Sequence, residues 1–392
     1  MKFLRTLSTG RLLALVLALA ALAAGGAAIA VAASGGSGQT PPAKPLAQAI
    51  HDALGAQAPP GITADISFTN KLFPSGSLLG STGSALMSGA TGRLWATNDG
   101  RGRLELQSAA GDVQIVWNMT QVTAYDASSN TVYKFSLPAH TDSSATGSRA
   151  APTLTEITDF LTKLADRASL SEAHPSNVGG QPAYSVSVSP KHDGGLLGSV
   201  QLAWDAIQGV PLRIGVYAQG SSTPVIQLEA TNISYGSVAG SDVNVTPPAG
   251  AKTVDLGAPT GTTGAGDAGS GAQVSGLAAV QAAASFPVTA PDTLVGLPRQ
   301  DVRLVGSGSK TALAVYGQGL GAIVVVERPA DAVGAKSGAL SSLPTVALDG
   351  VSAHELATQL GTVIEWQRGG VDFVLAGSLP PAGAETAARE LK

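Results

Sequence analysis

The 392-residue sequence contains no cysteine. This absence excludes a disulfide framework, thiol catalysis, a cysteine-ligated zinc site and a lipid-modified N-terminal cysteine. Charged residues make up 13% of the chain, about half the share of an average globular protein. The formal net charge is −4, and the sequence lacks the basic footprint that nucleic-acid binding needs. We therefore expect no nucleic-acid partner.

Aromatic residues are also scarce, at 4% of the chain, whereas glycine is frequent, with 49 residues. This usage is typical of high-GC bacterial coding. The length that remains after an N-terminal leader predicts two domains.

The N-terminus has the pattern of a targeting or anchoring segment. Lys2, Arg5 and Arg11 precede an uncharged run over residues 12–33. The strongly apolar part, residues 12–22, has signal-peptide length, and the whole run has membrane-spanning length. We predict that residues 1–33 form either a signal peptide or an N-terminal transmembrane anchor. Because the basic end stays in the cytoplasm, the rest of the chain is expected outside, exported or anchored at the outer face of the cell membrane.

Catalytic motifs are incomplete throughout the sequence. A G-x-G-x-x-G pattern at residues 264–269 lies in a Gly/Ala/Ser/Thr stretch with no strand before it. His354 and Glu355 begin H-E-x-x-H, but Thr358 occupies the second histidine position. No G-x-S-x-G nucleophile motif occurs. We predict no enzymatic activity, no cofactor and no metal site.

Residues 92–137 alternate between apolar and polar side chains. The apolar positions include Leu104, Leu106, Val113, Ile115 and Trp117. A period of two predicts strands with one buried face, and short intervening loops predict antiparallel neighbours. A second strand series is predicted at residues 182–190, 198–205, 210–218 and 224–235, with a first strand at 61–70. Helices are predicted at 45–56 and from Thr153 or Thr155 through Arg167.

Several segments together resemble the LolA/LolB/RseB superfamily of lipoprotein-carrier-like proteins. They are residues 92–95, 103–106, 116–125 and 132–135 in the first strand series, and 180–184, 204–205, 209–213 and 246–250 in the second. The resemblance implies an α+β fold, with an unclosed, curved antiparallel half-barrel capped by helices over residues 46–256. In this family the half-barrel encloses an apolar cavity for acyl chains.

The remaining chain predicts a tether, a linker and a second domain. Residues 34–45 are a flexible tether, and residues 257–276 are a Gly/Ala/Ser/Thr linker. Residues 277–392 form a smaller α+β domain, in which two apolar runs flank Gly369-Gly370 as a hairpin. The run at 365–373 resembles the C-terminal domain of RseB-type regulators.

The resemblance also assigns candidate ligand-contacting residues. The half-barrel cavity is expected to be lined by Trp95, Leu104, Leu106, Ile115, Trp117, Val122, Tyr125, Phe135, Leu154, Ile157, Phe160, Leu161 and Trp204. The helix over 154–164 would form part of a lid whose apolar stripe faces the inner side of the sheet. For each of the strand aromatics Trp95, Trp117, Tyr125, Phe135 and Trp204, a place in the packed core is the favoured alternative.

Three functions remain open. The first is an exported, membrane-tethered protein that binds lipid or the acyl chains of a lipoprotein. The second is an RseB-like sensor whose C-terminal domain contacts an anti-sigma-type or other membrane protein. The third is a structural envelope module with a solid core. A sensor needs an exposed apolar patch on the second domain; residues 323–326 could supply one, although a central strand is the favoured interpretation.

Overall fold

The computed structural model describes residues 40–72, 85–137, 152–191, 195–256, 274–305, 311–330 and 343–392. The predicted leader (1–33), the first half of the tether (34–45) and most of the linker (257–276) lie outside these residues. Within the described ranges, no helix has both the length and the apolar character needed to cross a membrane.

The first half of the described chain builds a large sheet. Its strands are β1 (Gly61–Asn70), β2 (Ala90–Thr97), β3 (Gly102–Gln107), β4 (Val113–Trp117), β5 (Gln121–Asp126), β6 (Thr131–Ser136), β7 (Ala168–Leu170), β8 (His174–Val178), β9 (Gln181–Pro190), β10 (Leu197–Asp205), β11 (Pro211–Ala218), β12 (Pro224–Tyr235) and β13 (Lys252–Asp255). The strand order is β13-β6-β5-β4-β3-β2-β1-β12-β11-β10-β9-β7, and β8 also pairs with β9. The pairings are antiparallel except that β13 runs parallel to β6.

Four helices accompany this sheet: α1 (Leu46–Leu54), α2 (Ala85–Ser88), α3 (Leu154–Ala165) and α4 (Gly240–Val243). The start of α3 follows from a capping box. Thr153 Oγ1 accepts a hydrogen bond from Glu156 N, and the Glu156 side chain accepts one from Thr153 N. This reciprocal pair satisfies two amides that a helix N-terminus leaves without partners.

The large sheet curls around its own apolar face. One core cluster joins residues of β1–β5, such as Ile66 and Ile115, to residues of β9–β12, such as Ala183 and Ile226. Leu86 of α2 is fully buried in the same cluster. Strands far apart in the sheet order can share one core only if the sheet bends, and the order ends at β13 and β7 without closing.

The turn between β10 and β11 is fixed by a buried carboxylate. Asp205 accepts hydrogen bonds from the backbone amides of Ile207 (2.7 Å) and Gln208 (2.8 Å) and from the Tyr235 hydroxyl (2.5 Å). The first two bonds form an Asx-type turn. The third ties the turn to the end of β12.

The second half of the described chain forms a smaller unit. Its sheet contains β14 (Thr293–Leu294), β15 (Leu297–Val305), β16 (Thr311–Tyr316), β17 (Ile323–Pro329), β18 (Thr345–Leu348), β19 (Val351–Ala357), β20 (Thr362–Arg368) and β21 (Val371–Gly377), in the order β14-β15-β16-β17-β21-β20-β19-β18. Helices α5 (Leu277–Ala283) and α6 (Pro381–Glu390) cover one face. Gly369 and Gly370 turn the β20–β21 hairpin with φ of 58° and 77°, as a type I′ turn requires.

The predicted fold class is confirmed: a curved, mostly antiparallel sheet with helices, followed by a smaller α+β unit. Residues 323–326 lie in β17, a central strand between β16 and β21, as favoured. The sequence analysis did not predict β7, β8, β13 or the short helix α2. The division into domains stays a prediction.

A buried carboxyl group lies in the core of the smaller unit. Glu327 is 1% exposed, and its Oε2 accepts a hydrogen bond from Thr289 N at 2.7 Å. Within the described residues, neither its Oε1 nor the Tyr316 hydroxyl has a hydrogen-bond partner. Burial in this apolar core raises the pKa of Glu327 to about 7 from an ordinary value of 4.5.

We predict that Glu327 makes the folded state less stable as the pH rises. The native state holds a proton that the unfolded chain has lost between about pH 4.5 and pH 7, so the free energy of unfolding falls across that window. Glu327→Gln stays neutral and should remove this fall, leaving the variant more stable at pH 8 by on the order of 2–3 kcal/mol.

Urea denaturation at pH 4.5, 6 and 8 measures this effect. The exposed Glu172 provides the control, because Glu172→Gln should keep the pH slope of the natural chain. An unchanged slope in Glu327→Gln would show that this carboxyl group is not its origin.

Candidate functional site

The concave face of the large sheet carries two apolar rows that cross six paired strands. One row runs Ile62, Ala96, Gly102, Trp117, Val122 and Phe135, and the next runs Ala64, Leu94, Leu104, Ile115, Ala124 and Tyr133. Facing residues of paired strands share one side of a sheet. The two rows therefore form a continuous apolar surface over β1–β6.

Six of the predicted ligand-contacting residues lie on this concave face. Leu104, Leu106, Ile115 and Val122 are buried in the main core, whereas Trp117 and Phe135 pack against it and stay half-buried. The structure therefore brings these six together. The half-buried pair are cross-strand neighbours of Val122 and form the more accessible end of the rows.

Two predicted residues lie on the opposite, convex face. Trp95 faces Arg103 across β2–β3, and the guanidinium carbons of Arg93 and Arg103 lie 5.8 and 4.9 Å from its ring centroids. Tyr125 is on the same face, where its hydroxyl donates to Asn130 Oδ1 at 3.2 Å. The strand register therefore places both aromatic rings on the face opposite the six candidates of the concave face.

Helices α1 and α3 pack against the β9–β10 end of the large sheet. Leu161 of α3 lies in a small cluster with Trp204 and Leu202 of β10. This cluster is separate from the main core, to which Ala183 and Ala203, the residues that precede Tyr184 and Trp204, belong. The lid position of the helix stays a prediction.

The apolar stripe of α3 is nevertheless only half covered. Ile157 is buried, but Leu154 is 41% exposed and Phe160 is 62% exposed. The other four exposed side chains between them, Thr155, Glu156, Thr158 and Asp159, are polar. An amphipathic helix in a finished core normally buries its whole stripe. Leu154 and Phe160 thus lie exposed at the two edges of the stripe, on either side of the buried Ile157.

The convex face carries a groove beneath a chain segment that crosses it. Residues 236–256 pass from the end of β12 to β13, and we call them the strap. Between the strap and strands β4–β6 lies an open cavity of ≈490 Å³ whose lining includes Val116, Thr123, Lys134, Thr246 and Pro247. Sequence alternation did not reveal this groove, because the path of the strap is a tertiary feature.

The two units touch at the edge of the main core. Leu360, in the turn between β19 and β20, packs against the core cluster of the large sheet. The neighbouring Gln359 Nε2 donates to Lys71 O at 2.9 Å. Ser378 accepts backbone hydrogen bonds from Leu196 (3.0 Å) and Leu197 (2.7 Å). The smaller unit therefore contributes a side chain to the apolar interior of the larger one.

In the described ranges, no three His, Cys, Asp or Glu side chains are grouped to hold a metal ion. The arrangement of the described side chains suits binding of apolar groups on one face and of polar groups on the other.

No protein-family model and no curated protein matches the chain. Among solved structures, it is similar to MucB in complex with MucA(peri), with 15% identity, coverage of 88% of this chain and 96% of that chain, and a TM-score of 0.42. It is also similar to the Pseudomonas aeruginosa MucA/MucB complex, with 15% identity, 88% and 94% coverage and a TM-score of 0.41.

A putative outer membrane lipoprotein-sorting protein domain from Vibrio parahaemolyticus is similar at 11% identity, with coverage of 51% of this chain and 94% of that chain and a TM-score of 0.21. MucB, a homologue of RseB, and this domain are the kinds of neighbour that the sequence resemblance predicted. Likeness at this level assigns neither ligand nor partner.

We predict that Gly102 is required for the position of Trp117. A Cβ built on Gly102 would lie 2.1 Å from Trp117 Cζ2, so the indole lies flat over the glycine. Gly102→Ala forces the ring away, and overpacking of this kind costs about 1–3 kcal/mol. Urea denaturation and the tryptophan emission maximum would both change.

Gly236→Ala is the matched control, since a Cβ there meets nothing within 4 Å. It should leave stability within about 0.5 kcal/mol of the natural chain. Equal stability of the two variants would contradict the predicted contact.

Proposed function

We propose that the protein is an exported, membrane-tethered binding protein that holds lipid, or the acyl chains of a lipoprotein, against the concave face of the large sheet. The observation that carries the proposal is the half-covered stripe of α3. Leu154 and Phe160 are exposed on α3, and Trp117 and Phe135 of the apolar rows are themselves only half-buried. An acyl chain that reached both pairs would remove all four side chains from water.

The free energy available to such a complex is large without any charged contact. Burial stabilises an acyl chain by about 0.8 kcal/mol per CH₂ group. A chain with about ten buried groups would gain roughly 8 kcal/mol before the cost of association. The scarcity of candidate catalytic residues is consistent with a function that needs only apolar burial.

The location outside the cytoplasm rests on the N-terminal sequence. Three basic residues precede the uncharged run of residues 12–33, and an anchor of that polarity leaves the sheet on the outer side of the membrane. The ligand would then come from the membrane surface or from a lipoprotein in transit.

The predicted consequence is that apolar ligands bind and that α3 contributes to their affinity. The chain from residue 40 onward, purified under native conditions, should carry stoichiometric acyl lipid in extracts analysed by mass spectrometry. After delipidation it should bind a fluorescent fatty acid. Leu154→Ser/Phe160→Ser should weaken that binding at least about tenfold, since burial of each side chain contributes about 1.5–3 kcal/mol.

Ile207 supplies the control, because it is an apolar side chain with 39% exposure in the β10–β11 turn. Ile207→Ser should leave fatty-acid affinity unchanged. A natural chain that carries no lipid and takes up no fatty acid would overturn the proposal and leave a solid core as the better interpretation.

A second candidate function is an RseB-like sensor that responds to ligand through contact with an anti-sigma-type protein. The observation that favours it is Leu360, which belongs to the smaller unit but packs on the core of the larger one. The face of the smaller sheet opposite its helices also presents half-buried Val324, Val326 and Val374, which are neighbours in register. These three residues would form the partner patch.

The sensor predicts that ligand changes the arrangement of the two units. Because the natural chain has no cysteine, Ala127→Cys and Ser352→Cys, both at exposed positions, can carry one spin label each. Fatty acid should change the distance distribution between them, and Leu360→Ser should produce the same change without ligand. An unchanged distribution at saturating fatty acid would contradict the sensor and favour a carrier.

A further inference from the structure

The strap is fastened across the convex face at both ends. At its start, Arg103 Nη1 donates to Asp242 O at 3.3 Å, and Val243 is buried. At its end, the backbone amides of Lys252 and Leu256 donate to Asn130 O (3.0 Å) and Lys134 O (2.9 Å). Because the strap is held at both ends, the space between it and the sheet is a preformed cavity.

The cavity lies on the side of the sheet opposite the apolar rows. Val116, Thr123 and Lys134 face one another across β4, β5 and β6 and form its floor. Its volume of ≈490 Å³ is in the range of about 300–1,000 Å³ found for small-molecule sites. An occupant of this groove would therefore lie mostly on the opposite side of the sheet from a ligand on the concave face, with Trp117 bordering both.

Lys134 is the one charged side chain of the groove lining. Other cations of the same face have carboxylate neighbours: Arg93 pairs with Asp65 at 3.3 Å, and Arg103 pairs with Glu105. Across the described part of the chain, Lys134 forms no ion pair. Its side chain lines the cavity.

Neutral hydrogen-bonding groups surround this cation. Asn118 Oδ1 accepts bonds from Thr120 N (2.9 Å), Thr120 Oγ1 (3.0 Å) and Gln121 N (2.9 Å). These three bonds fix the orientation of the Asn118 side-chain amide, and its Nδ2 group remains able to donate a hydrogen bond. Thr123 and Thr246 add hydroxyl groups. One cation with several neutral donors is the arrangement that recognises an oxyanion.

We infer that the groove beneath the strap binds a small organic anion, a carboxylate or a phosphate ester with an apolar body. The oxyanion is held by Lys134 and Asn118 Nδ2, and the apolar body lies between Val116 and Pro247. This site does not rest on the proposed function, although Trp117 borders both the groove and the concave face.

Asp255 places a negative charge at the rim of the groove, beside Lys134. It is the parallel-strand neighbour of Lys134 in the β6–β13 pairing and is exposed. A carboxylate at this position opposes a bound anion without blocking the groove. Its removal should therefore strengthen binding, whereas removal of the Lys134 charge should weaken it.

Isothermal titration calorimetry on the full chain tests the inference with three probes: 4-phenylbutyrate, phenyl phosphate and the neutral 4-phenylbutan-1-ol. At least one anion should bind, and the alcohol should bind at least about tenfold more weakly, as a charge-assisted hydrogen bond predicts. Binding by 4-phenylbutyrate alone identifies carboxylates as the ligand class, and binding by phenyl phosphate alone identifies phosphate esters. Equal affinity for the alcohol, or no binding of either anion at millimolar concentration, overturns the inference.

Variants separate the groove from other sites. Lys134→Gln should weaken anion binding about tenfold, Lys134→Arg should retain it, and Asp255→Asn should strengthen it. Lys163→Gln, which removes an exposed cation of α3, should change nothing. If Lys163→Gln weakens binding as much as Lys134→Gln, the anion responds to net charge and not to this groove. Leu154→Ser/Phe160→Ser should leave anion affinity unchanged while lowering fatty-acid affinity, so failure of either proposal can be recognised alone.

Discussion

The pairing of β1 with β12 is the constraint on which the large sheet depends. It joins the run of hairpins β1–β6 to the run β9–β12, with partners from Ile62 and Tyr235 to Asn70 and Ile226. The contact is far from local: Ser234 Oγ donates to Thr63 O across 171 residues. Closing so long a loop costs chain entropy before the non-local contacts form. The shared core offsets this cost, and Ile66 and Ala230 of the two runs meet in it.

That single junction also determines which side chains face inward. Since side chains alternate along a strand, the register of β1 fixes the concave row that starts at Ala64 and the convex row that starts at Asp65. A shift of one residue would exchange the two rows and place Arg93 in the core. The apolar rows and the groove under the strap are thus two consequences of one register, and neither can move without the other.

Local sequence predicted much of this fold, because much of it is local. The Thr153–Glu156 capping box and the Gly369-Gly370 turn are complete within four residues, and each element formed where the pattern placed it. Trp95 and Tyr125 were assigned to the concave face with Trp117, although the register separates them. Aromatic residues occur on both faces of these strands, so composition alone could not show which face was apolar throughout.

The features that sequence reasoning missed are those that distant segments create. The parallel pairing of β13 with β6 brings Lys252 beside Thr131, and no alternation pattern encodes a partner so far along the chain. The groove under the strap follows from that pairing. The contact of Leu360 with the main core has the same origin, since a leucine in a hairpin turn has no local reason to be buried.

The Leu360 contact bears on how a carrier would differ from a sensor. Leu360 is half-buried, so its contact provides part of the about 1.5–3 kcal/mol that full burial of a leucine side chain contributes. A typical coupling free energy between two sites is about 1–3 kcal/mol. A ligand that displaced Leu360 from the core would lose that contribution and free the turn that also holds Lys71 through Gln359. A ligand that left Leu360 in place would keep all of the free energy gained from its own burial, but it would not change the contact between the two units. Displacement of Leu360 would therefore lower the affinity for ligand but change the contact between the two units. A ligand that does not reach Leu360 suits a tight carrier, and a ligand that displaces it suits a weaker, responsive sensor.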